Sequence, residues 1–291
     1  MRFVSYKAND VVGLALNVEG TWHGLTAVDA GYPGDLLALL RAGAGALEKA
    51  AEALKGAPAI DLAAVTLLPP VSDPEKIVCV GLNYTDHSAE SGFKQPEFPT
   101  IFGRFNSSMI AHGAPILRPE VSIQLDYEGE LVAIVGKPAR DVSEANALDY
   151  VAGYSIFNDG SIRDYQFKAP QWTPGKNFDD TGAFGPWFVT ADELPPGCEG
   201  LRLQTRLNGQ VVQDASISDM VFSVAKLIAI LSEFMTLVPG DVIVTGTPSG
   251  VGLARKPQLF MKDGDVCEVE IEQIGILSNP IRDRSLKQAA A

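Results

Sequence analysis

The chain is poor in the side chains that carry nitrogen or sulfur metal chemistry, with only three histidines and three cysteines in 291 residues. Cys79, Cys198 and Cys267 are widely spaced and stand in apolar stretches, and their odd number argues against a disulfide framework. They read as buried thiols in a reducing compartment. His23, His87 and His112 are equally scattered, so a zinc centre of the usual histidine and cysteine kind is excluded on supply. Positive charge is short as well: 23 Lys and Arg face 36 Asp and Glu, a formal charge of -13 spread along the chain. That balance disfavours nucleic acid and an anionic membrane surface as partners. No stretch approaches the roughly 20 apolar residues that span a bilayer. The first residues, "MRFVSYKANDVVGLAL", are broken by Lys7, Asn9 and Asp10 before any signal-peptide cleavage site could follow. Together these absences predict a soluble, cytoplasmic protein. There is no internal repeat, no Gly-x-Gly-x-x-Gly opening a helix and no P-loop ending, so no nucleotide site is expected.

What is present is turn-rich globular composition, 46% hydrophobic with 28 Gly and 19 Pro. Residues 1–70 read as a small N-terminal domain: strands near "RFVSYK" and "VVGLALNV", then an Ala/Leu-rich helix from about Gly34 to Lys55. The proline-rich "LLPPVSDPEK" marks a linker, and residues 71–291 form the second, larger domain. There "KIVCVGLNY" ends a strand, and "TDHSAESG" reads as a capped helical turn with Thr85 or Asp86 as cap and Gly92 beyond its stop. Many short strands follow, separated by Gly, Pro and Asn-Gly turns. One helical period stands out, "SDMVFSVAKLIAILSEFMT", with Val221, Val224, Leu227, Ile228 and Leu231 on one stripe. The fold class predicted is α+β, mainly β, with a barrel-like or rolled sheet.

The stretch "LDYEGELVAIVG" reads as one strand with Asp126, Glu128 and Glu130 on the same face and an apolar run after them. It is either a solvated strand edge or the wall of a cation site, since unpaired buried carboxylates would protonate rather than stay charged. A hard cation such as Mg²⁺ or Mn²⁺ would need another oxygen donor. Asp159, at the end of "GYSIFND", offers one, although Asp in "NDG" is also a common turn former. His87 has Glu90 three residues on, a spacing that faces the two side chains on a helical turn, where a carboxylate can orient an imidazole base. Lys176 is the single cation in the turn-rich "WTPGKNFDDTGAFGPW" and could neutralise an oxyanion. "VPGDVIVTGTPSGVG" exposes backbone N–H groups and the Thr245 and Thr247 hydroxyls in a Gly-rich turn.

Taken together and in order, "GLNYTDHSAE", "DYEGELVAIVG", "GYSIFNDGSIRDYQ", "TPGKNFDDTGAFGP" and "VPGDVIVTGTPSGVG" resemble the fumarylacetoacetate hydrolase family, in particular bacterial acylpyruvase-like or 2,4-diketo-3-deoxy acid hydrolase-like members. The resemblance spans about residues 75–280. It implies a mixed β-roll or barrel catalytic domain, a homodimer, and one Mg²⁺ or Mn²⁺ held by Glu128, Glu130 and Asp159. It further implies a water-activating dyad of His87 and Glu90, often on a segment that closes as a lid, with Lys176 beside metal and substrate. Arg163, Gln166 and Thr247 match pocket positions, and Asp126 matches no ligand. Where many acylpyruvase-like members read "F-x-K-P", this chain has "FGRFNSSMIAHGAPILRP", which makes Arg104 and Ser108 candidate substrate contacts. The activity implied is hydrolysis of a carbon–carbon bond in a 2,4-diketo acid, releasing pyruvate and a carboxylic acid. Decarboxylation of oxaloacetate and isomerisation or dehydration of a 2-oxo acid are rivals, and a catalytically idle metal-binding scaffold is the non-enzymatic alternative.

Overall fold

The computed structural model describes residues 1–90 and 96–284. Ten strands run side by side through one mixed sheet, from Ala59–Ile60 at one edge to Thr100–Gly103 at the other, and two short strands pair off this path. At its centre lies Gly129–Val135, every residue buried, paired antiparallel with Val151–Asp159 on one side and Val242–Val244 on the other. Its apolar alternation serves two cores: Leu131, Ala133 and Val135 face one, and Val132 and Ile134 face the other. Burial of each of the leucine, valine and isoleucine side chains contributes about 1.5–3 kcal/mol. A second, five-stranded sheet, ordered Gln210–Ser216, Arg202–Leu207, Val266–Ile271, Gly275–Asp283 and Ile116–Arg118, packs with the helix Val224–Phe234 into the first core.

The α+β, mainly β class is the one expected, but the sheets are open and mixed and do not close into a barrel. The anticipated helix over 34–55 is two helices, Leu36–Ala42 and Ala46–Lys55. Gly43 and Gly45, at φ 83° and 80°, turn the chain between them, a left-handed conformation that glycine adopts without steric penalty. The helix Val224–Phe234 begins at its Ser223 cap, so Val221 lies ahead of it. Residues 1–70 supply strands to the main sheet: Arg2 and Phe3 pair with Val189 and Phe188, and Phe3, Leu14, Leu36 and Leu54 fill the second core together with Val132 and Ile134. Among the described residues no helix is long and apolar enough to cross a membrane.

The strand expected over 125–135 breaks at Tyr127–Glu128. Leu125–Asp126 pairs with Ser161–Ile162 as a separate two-stranded ladder, and the long strand begins at Gly129. Asp126 therefore does not continue the face of Glu128 and Glu130.

Candidate active site

Five segments converge on one cavity: the lead-in and start of the central strand with Glu128 and Glu130, the end of its neighbour with Asp159, the two short helices Arg163–Gln166 and Thr173–Lys176, and the helix Thr85–Glu90. Antiparallel pairing places Gly129 opposite Asn158 and sends the Asp159 N–H to the Glu128 carbonyl at 2.8 Å. Two strand ends thus bring acids distant in sequence to one point. Carboxylate oxygens of Glu128, Glu130 and Asp159 lie within 4.8 Å of one another, all buried. His87, Arg163, Gln166, Lys176 and Thr247 line the same cavity. Phe102, Phe167, Trp172, Leu82 and Leu253 form its apolar wall, and sequence reasoning missed these five. The only hint was Trp172 standing four residues before Lys176.

Lys176 Nζ sits 2.5 Å from Glu128 Oε2 and 2.6 Å from Asp159 Oδ2. Burial opposes its charge, but the Asp159 and Glu128 carboxylates outweigh that and hold its pKa above the ordinary lysine value. Glu128 Oε1 is 2.6 Å from one terminal guanidinium nitrogen of Arg163. That nitrogen is held in the ion pair with Glu128 and has no further partner among the described residues. Burial also opposes ionisation of Glu128, yet Arg163, Lys176 and His87 together keep its carboxyl below the usual range. Glu130 is different. Burial, then the neighbouring Asp159 and Glu128 charges, push it well above the ordinary value, and a 2.5 Å bond from the Gly246 N–H offsets only part of this. Four buried carboxylates, counting Asp126, face three buried cations, Arg104, Arg163 and Lys176. The all-oxygen donor set, the mutual spacing and the excess negative charge that appears once Glu130 ionises fit a hard divalent cation held by Glu128, Glu130 and Asp159.

Asp126 anchors this arrangement from outside the triad. It accepts from Arg163 Nε at 2.8 Å and from the Gly252 and Leu253 N–H groups at 2.7 and 2.9 Å. Arg163 in turn donates to Gln166 Oε1 at 2.9 Å. Arg104 and Ser108, expected as substrate contacts, do not line the cavity. The fully buried Arg104 guanidinium lies behind Asp159, bonding its carboxylate, the Ser108 hydroxyl at 3.1 Å and the Thr181 hydroxyl at 2.8 Å. Both residues position a triad acid instead of meeting a ligand. The Thr247 hydroxyl is engaged within the protein, donating to the Gly129 carbonyl and accepting from the Gln213 amide.

His87 Nδ1 lies 3.0 Å from Glu90 Oε1, as the spacing predicted, and both Glu90 oxygens accept from the Gly250 N–H at 3.0 Å. Gly92, the expected helix stop, lies outside the described residues, as does the 91–95 part of the segment on which a lid carrying the dyad is expected. The turn after Val244 thus meets the dyad at Gly250 and the triad at Gly246. Gly246 has φ 101°, and a Cβ there would lie 2.8 Å from Asn83 Cβ and 2.9 Å from the Val80 carbonyl. Gly246→Ala should cost at least about 1–3 kcal/mol of stability and weaken Mn²⁺ binding by pulling the N–H from Glu130. Urea unfolding and Mn²⁺ titration check this, and wild-type values in both would remove Gly246 from the site.

A mixed sheet whose strand ends carry a buried carboxylate triad beside a His–Glu pair defines a class of enzyme scaffold able to hold a divalent cation. Residues 76–282 match the model of the fumarylacetoacetate (FAA) hydrolase C-terminal domain. The chain belongs to the fumarylacetoacetate hydrolase family. It is 40% identical over 288 residues to a mitochondrial oxaloacetate tautomerase of Xenopus laevis, covering 97% of this chain and 90% of that protein. Its fold is similar to that of a fumarylacetoacetate hydrolase from Exiguobacterium antarcticum, with a TM-score of 0.84, 35% identity, and 98% of this chain and all of that one covered. A maleylpyruvate hydrolase from Sphingobium is also similar, with a TM-score of 0.80, 29% identity and the same coverage.

Proposed function

We propose that this enzyme interconverts the keto and enol forms of a small 2-oxo diacid, oxaloacetate being the best candidate. The observation that carries the reading is the convergence of the triad, Lys176 and the Glu90-bound His87 on one cavity, a proton-transfer base beside a site for a chelated 2-oxo acid. Full-length similarity to an oxaloacetate tautomerase supports the choice of substrate. Glu128, Glu130 and Asp159 would hold a divalent cation, which would supply Lewis-acid polarisation to a bound 2-oxo acid. With Nδ1 engaged by Glu90, Nε2 is the ring nitrogen free to exchange a proton. Toward the enol, His87 takes a proton from C3, the C–H electron pair forms the C2–C3 double bond, the carbonyl pair moves to the C2 oxygen, and the proton held on His87 is passed to that oxygen, which leaves the imidazole as it began. The charged Lys176 balances the negative charge that develops there. Arg163 and Gln166, which line the cavity beside Glu128, are the groups nearest to hand for the distal carboxylate.

A second reading is hydrolysis of a 2,4-diketo acid, in which His87 takes its proton from water and the hydroxide attacks the 4-oxo carbon. The His87–Glu90 pairing serves this equally well, and the similarity to a maleylpyruvate hydrolase favours it. The test follows oxaloacetate keto–enol conversion by ultraviolet absorbance, and pyruvate release from oxaloacetate and a panel of 2,4-diketo acids, with Mg²⁺ or Mn²⁺ and with chelator. Fast, chelator-sensitive tautomerisation without pyruvate release is expected. Pyruvate from the diketo acids would move the assignment to hydrolysis, pyruvate from oxaloacetate alone to decarboxylation, and no turnover at all to a scaffold. We also propose that the protein is a homodimer, which light scattering on the purified chain would test.

A further inference from the structure

We infer that Asn83 is a positioning residue that sets His87 against the carboxylate triad. This rests on the role proposed above for His87. The strand Ile77–Gly81 leaves the main sheet through Leu82, whose φ of 58° is a left-handed conformation that side-chain-bearing residues rarely adopt. Two residues after Asn83, the helix carrying His87 and Glu90 begins. Such an exit persists only where its surroundings hold it, and Asn83 makes the hold. Its fully buried amide donates to the Thr245 carbonyl at 2.7 Å and to the Phe222 carbonyl at 3.0 Å, and its Oδ1 accepts from the Phe222 N–H at 2.7 Å. Its backbone carbonyl accepts from the Val221 N–H at 2.8 Å.

Thr245 is the residue before Gly246, whose N–H bonds Glu130. One side chain therefore fastens the root of the dyad helix to the turn that orients a triad acid. At the other end of that helix the Gly250 N–H holds Glu90, so a single turn, 245–250, clamps the helix at both ends. Loss of the Asn83 amide frees the root and leaves in place the contacts of Glu128 and Asp159 with Lys176, Arg163 and Arg104, while the turn keeps its own bonds from the Thr245 N–H and hydroxyl to the Leu131 carbonyl beside the Gly246 bond to Glu130.

The chain's three histidines make the test direct. Nitrogen-15 histidine spectra of the wild type and Asn83→Ala, both with Mg²⁺, should show the His87 ring signals shifted or broadened, with those of His23 and His112 unmoved. Asn83→Ser serves if the alanine variant does not fold. In parallel, tautomerase kcat should fall tenfold or more, with KM and Mn²⁺ affinity within threefold of wild type. In a His87→Ala background the same substitution should change kcat less than twofold. Unmoved His87 signals, simultaneous shifts of all three histidines, or additive losses in the double variant would overturn the inference. A wild type inactive toward oxaloacetate would sink the proposed reaction instead, and the spectra would still decide the role of Asn83.

Discussion

His87→Ala is expected to lower kcat for oxaloacetate tautomerisation by about 10²- to 10⁴-fold, the usual contribution of a positioned acid–base group. Among the described residues the imidazole is the only titratable group of the cavity wall outside the carboxylate–lysine–arginine cluster, and every member of that cluster is committed to ion pairs or to the cation. No neighbour can take over the proton. Among the described residues the His87 ring bonds Glu90 and not a triad acid, its link to the triad being electrostatic support of Glu128, so Mn²⁺ affinity and the melting temperature should change far less than kcat. Glu90→Gln should lose less, since an amide can still bond the ring and the Gly250 N–H but cannot stabilise a charged imidazolium. Stopped-flow absorbance in both directions checks both variants. If His87→Ala retained wild-type kcat, the base would have to lie elsewhere, and the dyad would be a structural latch.

Arg104→Leu should be the most destabilising single change at the site, by about 3–5 kcal/mol, because it strips a buried carboxylate of its main partner. Asp159 would keep only Lys176, which it shares with Glu128, and the Ser108 and Thr181 hydroxyls and the Gly160 carbonyl would each lose a bond. The loss should shrink when Mn²⁺ is present, since a cation bound to the folded state adds about 2.7 kcal/mol at a hundredfold excess over its Kd. Arg104→Lys should recover little, because an ammonium cannot span Asp159, Ser108 and Thr181 as the planar fork does. Urea unfolding with and without Mn²⁺ measures both effects. A leucine variant as stable as wild type would show that Asp159 does not depend on the guanidinium.

These two residues mark what the sequence could and could not convey. The His87–Glu90 contact is local: a three-residue spacing on one helical turn fixes it, so it was legible. The triad was legible for a related reason, since acids at strand ends next to apolar runs are conspicuous when they lack basic neighbours. The place of Arg104 behind Asp159 was not legible, because the partner of a guanidinium is chosen by tertiary approach, here to an aspartate 55 positions away. Proximity in sequence to pocket motifs suggested a substrate contact instead. The break at Tyr127–Glu128 was hidden because side-chain alternation continues through it even though the ladder changes partner. Asn83 was silent, an asparagine at a strand end being the commonest kind of turn residue. The open, mixed sheets differ from the expected roll because long-range strand order leaves no periodic trace in sequence.

The pairing of Arg2 and Phe3 with Phe188 and Val189 has a consequence for any attempt to shorten the chain. A protein starting after the proline-rich stretch would keep every cavity residue and yet expose part of a strand edge together with the Phe184 and Phe188 rings of the second core. Bare strand edges beside apolar surface recruit other chains. Such a truncation should therefore yield aggregates and not a smaller enzyme, and the first 70 residues guard solubility as much as they cover a face of the sheet.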